Sequence, residues 1–254
     1  MKKFSSLLFV LLLMLASFTA GMEYPRGDVD YNGKVNIADV VTLVDYLLTG
    51  TWDEPVTPPD EHEWVDLGLP SGTLWATCNV GADNPEDYGD YFAWGETEPK
   101  VIYNWSTYKW CNGSVNTMTK YCTDSGYGTV DNKTELDPAD DAATVNWGTS
   151  WRMPTLEQLD ELLTKCTWTW TQQNGVNGSL VTGPNGNTIF LPAAGYHWDA
   201  SLGFADSYGD YWSRALYSIG PRGAHDLCIH SNGVYRLNNY DRSGGRSVRA
   251  VRVS

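Results

Sequence analysis

Basic residues are scarce in this chain: 17 lysines and arginines stand against 31 aspartates and glutamates, a net charge of -14. That balance lacks the cationic footprint general nucleic-acid binding needs. No GxSxG is present, so a serine nucleophile elbow is excluded. No two cysteines are spaced CxxC, so neither a cysteine zinc site nor a thioredoxin motif has support. There are four histidines, His62, His197, His225 and His230; the last two, five apart, are the one histidine pair close enough in sequence to consider for a shared metal. The longest apolar run, Leu7–Ala16, is too short to cross a bilayer. The last 42 residues, Ser213–Ser254, contain no lysine, methionine, glutamine, glutamate or tryptophan, although these five types make up roughly one residue in six elsewhere.

What is present is rich in tryptophan, tyrosine and glycine (12, 15 and 25 residues), a composition suited to aromatic-rich β structure. At 254 residues the chain has room for one large domain and a small module. Lys2 and Lys3 precede the apolar run, and Thr19 and Gly21 are small, so residues 1–21 read as a signal peptide; an uncleaved anchor is the alternative. No cysteine follows as a lipobox. The expected location is therefore secreted or cell-surface, with no transmembrane segment in the mature chain. The five cysteines, Cys78, Cys111, Cys122, Cys166 and Cys228, are an odd number. Cys111–Cys122 and Cys78–Cys166 are conceivable pairs in an oxidising compartment, and free thiols are an equal alternative.

Residues 22–50 read as a calcium loop followed by a helix. In "DVDYNGKVNIAD", side-chain oxygens stand at positions one, three and five and glycine at six, the arrangement a hard cation needs. Asp28, Asp30 and Asn32 supply oxygens, Lys34 its carbonyl, Asn36 a direct or water-bridged contact, and Asp39 closes the loop; Gly33 makes the turn. The plain alternative is an Asp/Asn/Gly turn that binds nothing. Ile37, Val40, Val41, Val44, Leu47 and Leu48 recur at helical spacing and predict one buried helix face ended by Gly50. An aspartate rather than a glutamate at position twelve resembles the loop of dockerin modules. Dockerins carry two such loops, so a docking or spacer role is expected rather than cohesin binding. Residues 51–62, with Pro58-Pro59 and several acids, read as a linker.

From Glu63 onward the texture changes. "EWVDLGLPSGTLWATCNVGA" reads as a hairpin, as does "GPNGNTIFLPAAGY" with Asn-Gly at its turn. "WRMPTLEQLDELLTKCTWTW" holds the clearest helix, with Thr155 and Gln158 in capping-box spacing and Leu156, Leu159, Leu162 and Leu163 on its apolar side. Trp64, Trp75, Trp94, Trp147, Trp151 and Trp212 are expected to pack the core rather than stack on sugars.

The ordered motifs "LPSGTLWATCNVGA", "GDYFAWGETEPK", "WRMPTLEQLDELL", "IFLPAAGY", "GDYWS" and "SVRAVRV" resemble the Fibrobacter succinogenes major paralogous domain, common in secreted Bacteroidetes proteins. The resemblance covers residues 63–254. It implies a branch of the C-type lectin-like fold: an α+β domain with a small twisted antiparallel sheet, few helices and long loops. Related formylglycine-generating enzymes use a cysteine pair near the domain's end; here Cys228 stands alone in the final third, so the expectation is a binding protein, not an enzyme. The Glu-Pro-Asn, Gln-Pro-Asp and Trp-Asn-Asp patterns of calcium-dependent sugar binding do not occur.

The five residue types missing from Ser213–Ser254 are those unreachable when the adenines of an AAC or AAT codon are randomised. Such a bias resembles the variable region of diversity-generating retroelement targets, which include C-type lectin-like proteins. Leu227, Ile229, Val234 and Val248 read as scaffold. Arg214, Tyr217, Ser218, Ile219, His225, Asp226, Cys228, His230, Tyr235, Leu237, Asn238, Asn239, Tyr240, Asp241, Ser243, Gly244 and Arg246 read as exchangeable ligand-binding positions, expected on one exposed face. Tyr, Arg, Asn, Ser and Gly suit an adaptable surface. Seven arginines against two acids make the segment +5, a charge that would steer an acidic partner. In "SVRAVRV", which alternates like a final strand, Arg249 and Arg252 are expected to be structural. The ligand is an unidentified protein or glycan. The alternative is a carbohydrate-binding accessory of a polysaccharide-degrading system, without diversification.

Calcium is expected to organise the small module alone. A chelator should melt the Ile37–Leu48 helix by circular dichroism and leave the main calorimetric transition in place. A drop of more than a few degrees in that transition would contradict the assignment.

Overall fold

The computed structural model describes Val40, Val41, Leu43, Val44, Leu47 and Leu48, then residues 62–217, 219–232 and 236–252, with backbone only at Arg236 and Asn238. The chain divides into two units, Met1–Glu61 and His62–Ser254. In the first, all six described residues are helical. The calcium-loop residues Asp28, Asp30, Asn32, Lys34, Asn36 and Asp39 lie outside the described residues. The apolar stripe departs from expectation: Val40, Val41, Val44, Leu47 and Leu48 are exposed. The pattern asked for a covering layer, and the described residues of this unit supply none.

The second unit is α+β, built of small antiparallel sheets and two short helices among the described residues. The strands are β1 (Trp64–Asp66), β2 (Leu74–Ala76), β3 (Trp151–Arg152), β4 (Thr167–Gln173), β5 (Val176–Thr182), β6 (Thr188–Pro192), β7 (Tyr196–Trp198), β8 (Ser201–Gly203), β9 (Tyr208–Leu216), β10 (Gly223–His230), β11 (Arg236–Asp241) and β12 (Val251–Arg252). The helices are α1 (Ala142–Trp147) and α2 (Leu156–Lys165). The sheets run β1-β2-β12-β3, β11-β10-β9, β4-β5-β6 and β7-β8. His62, assigned to the linker by composition, begins this unit because its ring stacks on Trp147 at 3.9 Å.

Local chemistry explains these elements. The Pro70-Ser71-Gly72 turn joins β1 to β2, whose partners run from Trp64↔Ala76 to Asp66↔Leu74. Thr155 caps α2 by accepting from the Gln158 N–H while the Gln158 side chain accepts from the Thr155 N–H, a complete capping box. Leu159 and Leu162 are buried beneath α2; Leu156 and Leu163 are half-buried. Asp141 caps α1 through the N–H groups of Ala143 and Thr144 and also accepts from Met153 N, tying that helix to the chain after β3. At the β4–β5 turn, Asn174 and Gly175 both take positive φ (50° and 87°), the two-residue geometry that matches strand twist.

Trp75, Trp94, Trp151 and Trp212 are fully buried and Trp147 packs against them, as expected for core. Trp64 is the exception, exposed on β1 with the Arg252 guanidinium 5.8 Å from its ring centre. The structure joins none of the five cysteines in a disulfide.

The C-terminal segment runs through the middle of the unit. β12 lies between β2 and β3, pairing Val251 with both Trp75 and Arg152. Upstream, Phe92 and Arg246 exchange both backbone hydrogen bonds, and Trp212 N donates to Ser247 O. Gly245 exchanges backbone bonds with His197, and a Cβ there would lie 2.7 Å from the Tyr103 ring, so only glycine fits. Three of the four arginines after Asp241 are buried: Arg242, Arg246 and Arg249. The segment therefore does not present +5 as a basic surface, which corrects the expected steering role. Arg242 donates to the carbonyls of Tyr121 (2.6 Å) and Lys120 (2.8 Å). Arg249 donates to Asn79 Oδ1 (2.9 Å), Ala76 O (3.1 Å), Thr77 O (2.7 Å) and Phe190 O (2.9 Å). Burial without a carboxylate partner holds the Arg249 pKa down to about 10.

Arg249→Met should therefore cost about 4 kcal/mol, because several buried acceptors lose their donor. Arg222→Met, which breaks a solvent-facing pair with Asp241, should cost under about 1 kcal/mol. Denaturant titration of both variants checks this; equal losses would contradict it.

Candidate functional site: a cleft over the C-terminal segment

The sequence leads one to expect the exchangeable side chains of β10 on an exposed face. The strand is instead covered on both faces. Leu227 and Ile229 face the core beside Tyr211, Leu159 and Leu162. On the other face Asp226, Cys228 and His230 stand opposite Trp212, Asp210 and Tyr208 of β9. All three are buried, as are Ser243, Gly244 and Arg246. These six are not freely exchangeable surface positions. The reason is the roof: Tyr196 of β7 and Tyr240 of β11 lie over this face, clamping the Arg246 guanidinium, whose carbon is 5.5 Å and 4.5 Å from their ring centres and 4.4 Å from that of Trp212 beneath.

Beneath the clamp sits a charge imbalance. Arg246 Nε donates to Asp226 Oδ2 at 3.2 Å, while Asp210 is a second buried carboxylate close by. One guanidinium does not neutralise two buried carboxylates. Burial first, and repulsion from Asp210 against the pull of Arg246, push Asp226 up to about 7; burial likewise raises Asp210. Burial and the Asp210 charge also raise the phenols of Tyr196 and Tyr240.

Above the clamp opens a cleft of about 770 Å³. One wall is the β7–β8 hairpin with its following turn: Tyr196, Trp198, Asp199, Ser201, Gly203 and Phe204. The other is the β9–β10 loop and β11: Tyr217, Gly220, Arg222, Gly223, Asn239, Tyr240 and Asp241. Tyr127 closes one side and Arg246 lies at the base. Six aromatic rings line it, and Trp198 and Phe204 are largely exposed. The hairpin wall is braced. Phe204 stacks on Tyr196 at 5.5 Å and meets Tyr208 edge-on at 5.3 Å, and Tyr208 stacks on His230 at 5.1 Å. Asp199, Phe204 and Asp206 all hold positive φ, a backbone cost of order 1–3 kcal/mol each where residues are bulky. Arg222 grips Asp241 with two hydrogen bonds, Nη2 to Oδ2 at 2.7 Å and Nε to Oδ1.

Of the seventeen exchangeable positions, Tyr217, Asn239, Tyr240, Asp241 and Arg246 line this cleft. Ile219 stands exposed on the loop beside it. His225 lies edge-on beneath Tyr217 at 5.4 Å. Arg214 points elsewhere, donating to Leu136 O at 2.8 Å, and Leu237 packs on the core. Ser218 and Tyr235 lie outside the described residues, as does the scaffold residue Val234, while Asn238 is placed by backbone alone. Trp212, Leu227 and Val248 are buried. His225 and His230 sit on opposite faces of β10 and cannot share a metal. No group of three metal-ligating side chains converges among the described residues. Tyr196, Trp198, Asp199, Ser201, Phe204 and Arg222 were not anticipated. For all of these but Arg222, the signal is the aromatic density of "GYHWDASLGF", which lies outside the last 42 residues.

The Asp226 carboxyl sets a pH prediction. Its folded pKa lies above its unfolded value, so its contribution is fully present below about pH 4 and is lost as pH rises through about 7. Asp226→Asn should thus gain stability over the native chain between pH 5 and pH 8, read from melting midpoints; a pH-independent difference would contradict it. Compared with family models, curated proteins and solved structures, the chain has no match in any of the three.

Proposed function

We propose that this is a secreted or surface-displayed ligand-binding protein whose C-terminal segment forms a variable recognition surface, on a C-type lectin-like frame. The observation that carries the reading is a coincidence. The cleft's second wall is built from the stretch that lacks lysine, methionine, glutamine, glutamate and tryptophan, and Tyr217, Asn239, Tyr240 and Asp241 from that stretch reach the cleft. A tolerant binding surface needs changeable side chains over an unchanging frame, because buried changes cost roughly 2–5 kcal/mol and surface changes about 0.5. Here the frame is Trp212, Leu227, Val248, Arg242 and Arg249, and the changeable layer is narrower than the composition suggested. In this reading the calcium loop of residues 28–39 serves docking or spacing, and the chain performs no catalysis.

A second reading rests on Trp198 and Phe204. Exposed rings beside Asp199, Asn239 and Asp241 offer stacking faces and planar hydrogen-bonding groups suited to sugar hydroxyls. A carbohydrate-binding accessory without diversification would use the hairpin wall rather than the variable one.

Two measurements separate them. The coding region should have a near-copy beside a reverse-transcriptase gene, differing at adenines, most densely at codons 217, 239 and 241; absence of any copy removes the diversified reading. Against a glycan array and a panel of surface proteins, Tyr217→Ser with Asn239→Ala should weaken binding more than about 100-fold while the melting midpoint holds. Glycan binding that survives this pair and disappears with Trp198→Ala establishes the second reading instead.

A further inference from the structure

We propose that two copies of this chain pair through the outer edge of β4, antiparallel, with the two-fold axis beside Trp170. β4 is an edge of the β4-β5-β6 sheet. It pairs with β5 without a break from Thr167↔Thr182 to Gln173↔Val176. The two-residue turn makes Gln173 and Val176 a hydrogen-bonded pair, so the N–H and C=O of Trp170 and Gln172 point away from β5. They meet no backbone partner among the described residues.

Proteins normally guard such an edge with charge, proline, a bulge or brevity. "TWTWTQQ" has none of these over seven residues. The edge strand β11, by contrast, begins at Arg236 and ends at Asp241.

A second copy fits this edge better than an arbitrary strand because the edge complements itself. With Trp170 at the axis, Thr169 meets Thr171 of the other copy twice, Trp168 meets Gln172, and Thr167 meets Gln173. The flanks agree. Lys165, exposed in the last turn of α2, precedes the strand; Glu86 lies at its far end, accepting from Gln173 Nε2 (3.1 Å) and Asn174 Nδ2 (2.5 Å). Antiparallel pairing brings Lys165 of each copy toward Glu86 of the other, whereas parallel pairing puts like charges together. The pair forms a six-stranded sheet and carries two clefts, which raises avidity for a repeating ligand without new contacts at either cleft. The pairing does not depend on what the cleft binds.

Sedimentation equilibrium of the full chain from about 1 μM to 1 mM suits a contact of this size. The native chain should form a dimer and no larger species. Thr169→Lys with Thr171→Lys places like charges opposite each other on both sides of the axis and should weaken the dimer by about tenfold or more, with an unchanged monomer melt. Lys165→Glu, which leaves the strand intact, should weaken it in the same direction. A native chain that stays monomeric throughout overturns the proposal, and so does a dimer that neither variant disturbs, which would place the contact on another surface or in residues 1–61.

Discussion

A guanidinium buried among carbonyl oxygens is the constraint on which the large unit depends. Arg249 reaches the end of β2 through Ala76 and the chain after it through Thr77 and Asn79, and reaches β6 through Phe190. Without it, acceptors at the end of β2, in the chain after it and in β6 would lose their donor, each costing about 1–3 kcal/mol. Arg242 does the same for the loop at Lys120 and Tyr121. Arginine rather than lysine suits this work, since one planar group serves several acceptors and stays charged when desolvated. The basic character of the chain's end is thus largely internal wiring.

That wiring limits where recognition can sit. The segment from Arg242 to Val251 threads the core, so side chains there cannot vary without loss. On the proposed reading, variation is confined to what lies above the Tyr196–Arg246–Tyr240 clamp: the β9–β10 loop and the outer part of β11. The clamp also ties the cleft's base to the buried Asp210–Asp226 pair, so the position of the Arg246 head group depends on a charge set that solvent does not reach. The opposite wall is held by stacked rings from Tyr196 to His230 and by strained turns at Asp199 and Phe204.

Much of the frame was legible in the sequence because local signals and tertiary context agree there. Thr155 and Gln158 form the capping box their spacing announced, Asn185-Gly186 lies in the turn joining β5 and β6, and Trp75, Trp94, Trp147, Trp151 and Trp212 pack inward. The site was half legible. Residue types in Ser213–Ser254 pointed to Tyr217, Asn239, Tyr240 and Asp241, but composition carries no depth information. Asp226, Cys228 and His230 read as surface because they fit the residue bias of the segment and interleave with Leu227 and Ile229, and that pattern cannot reveal a second covering layer contributed by β7. Trp198 and Phe204 escaped notice because nothing local distinguishes a ring that lines a cleft from one that fills a core. The Val40–Leu48 stripe shows the converse: periodicity establishes a helix but not what covers it.

The central claim is that one segment serves as frame below and as recognition surface above. Saturation mutagenesis of Ser213–Ser254, read by surface display of folded protein, tests it most directly. Tyr217, Ile219 and Asn239 should accept nearly all residues, while Trp212's neighbours Asp226 and Arg246, together with Arg242, Ser243 and Arg249, should accept almost none. A profile in which Arg242, Arg246 and Arg249 vary as freely as Tyr217 and Asn239 would contradict the account.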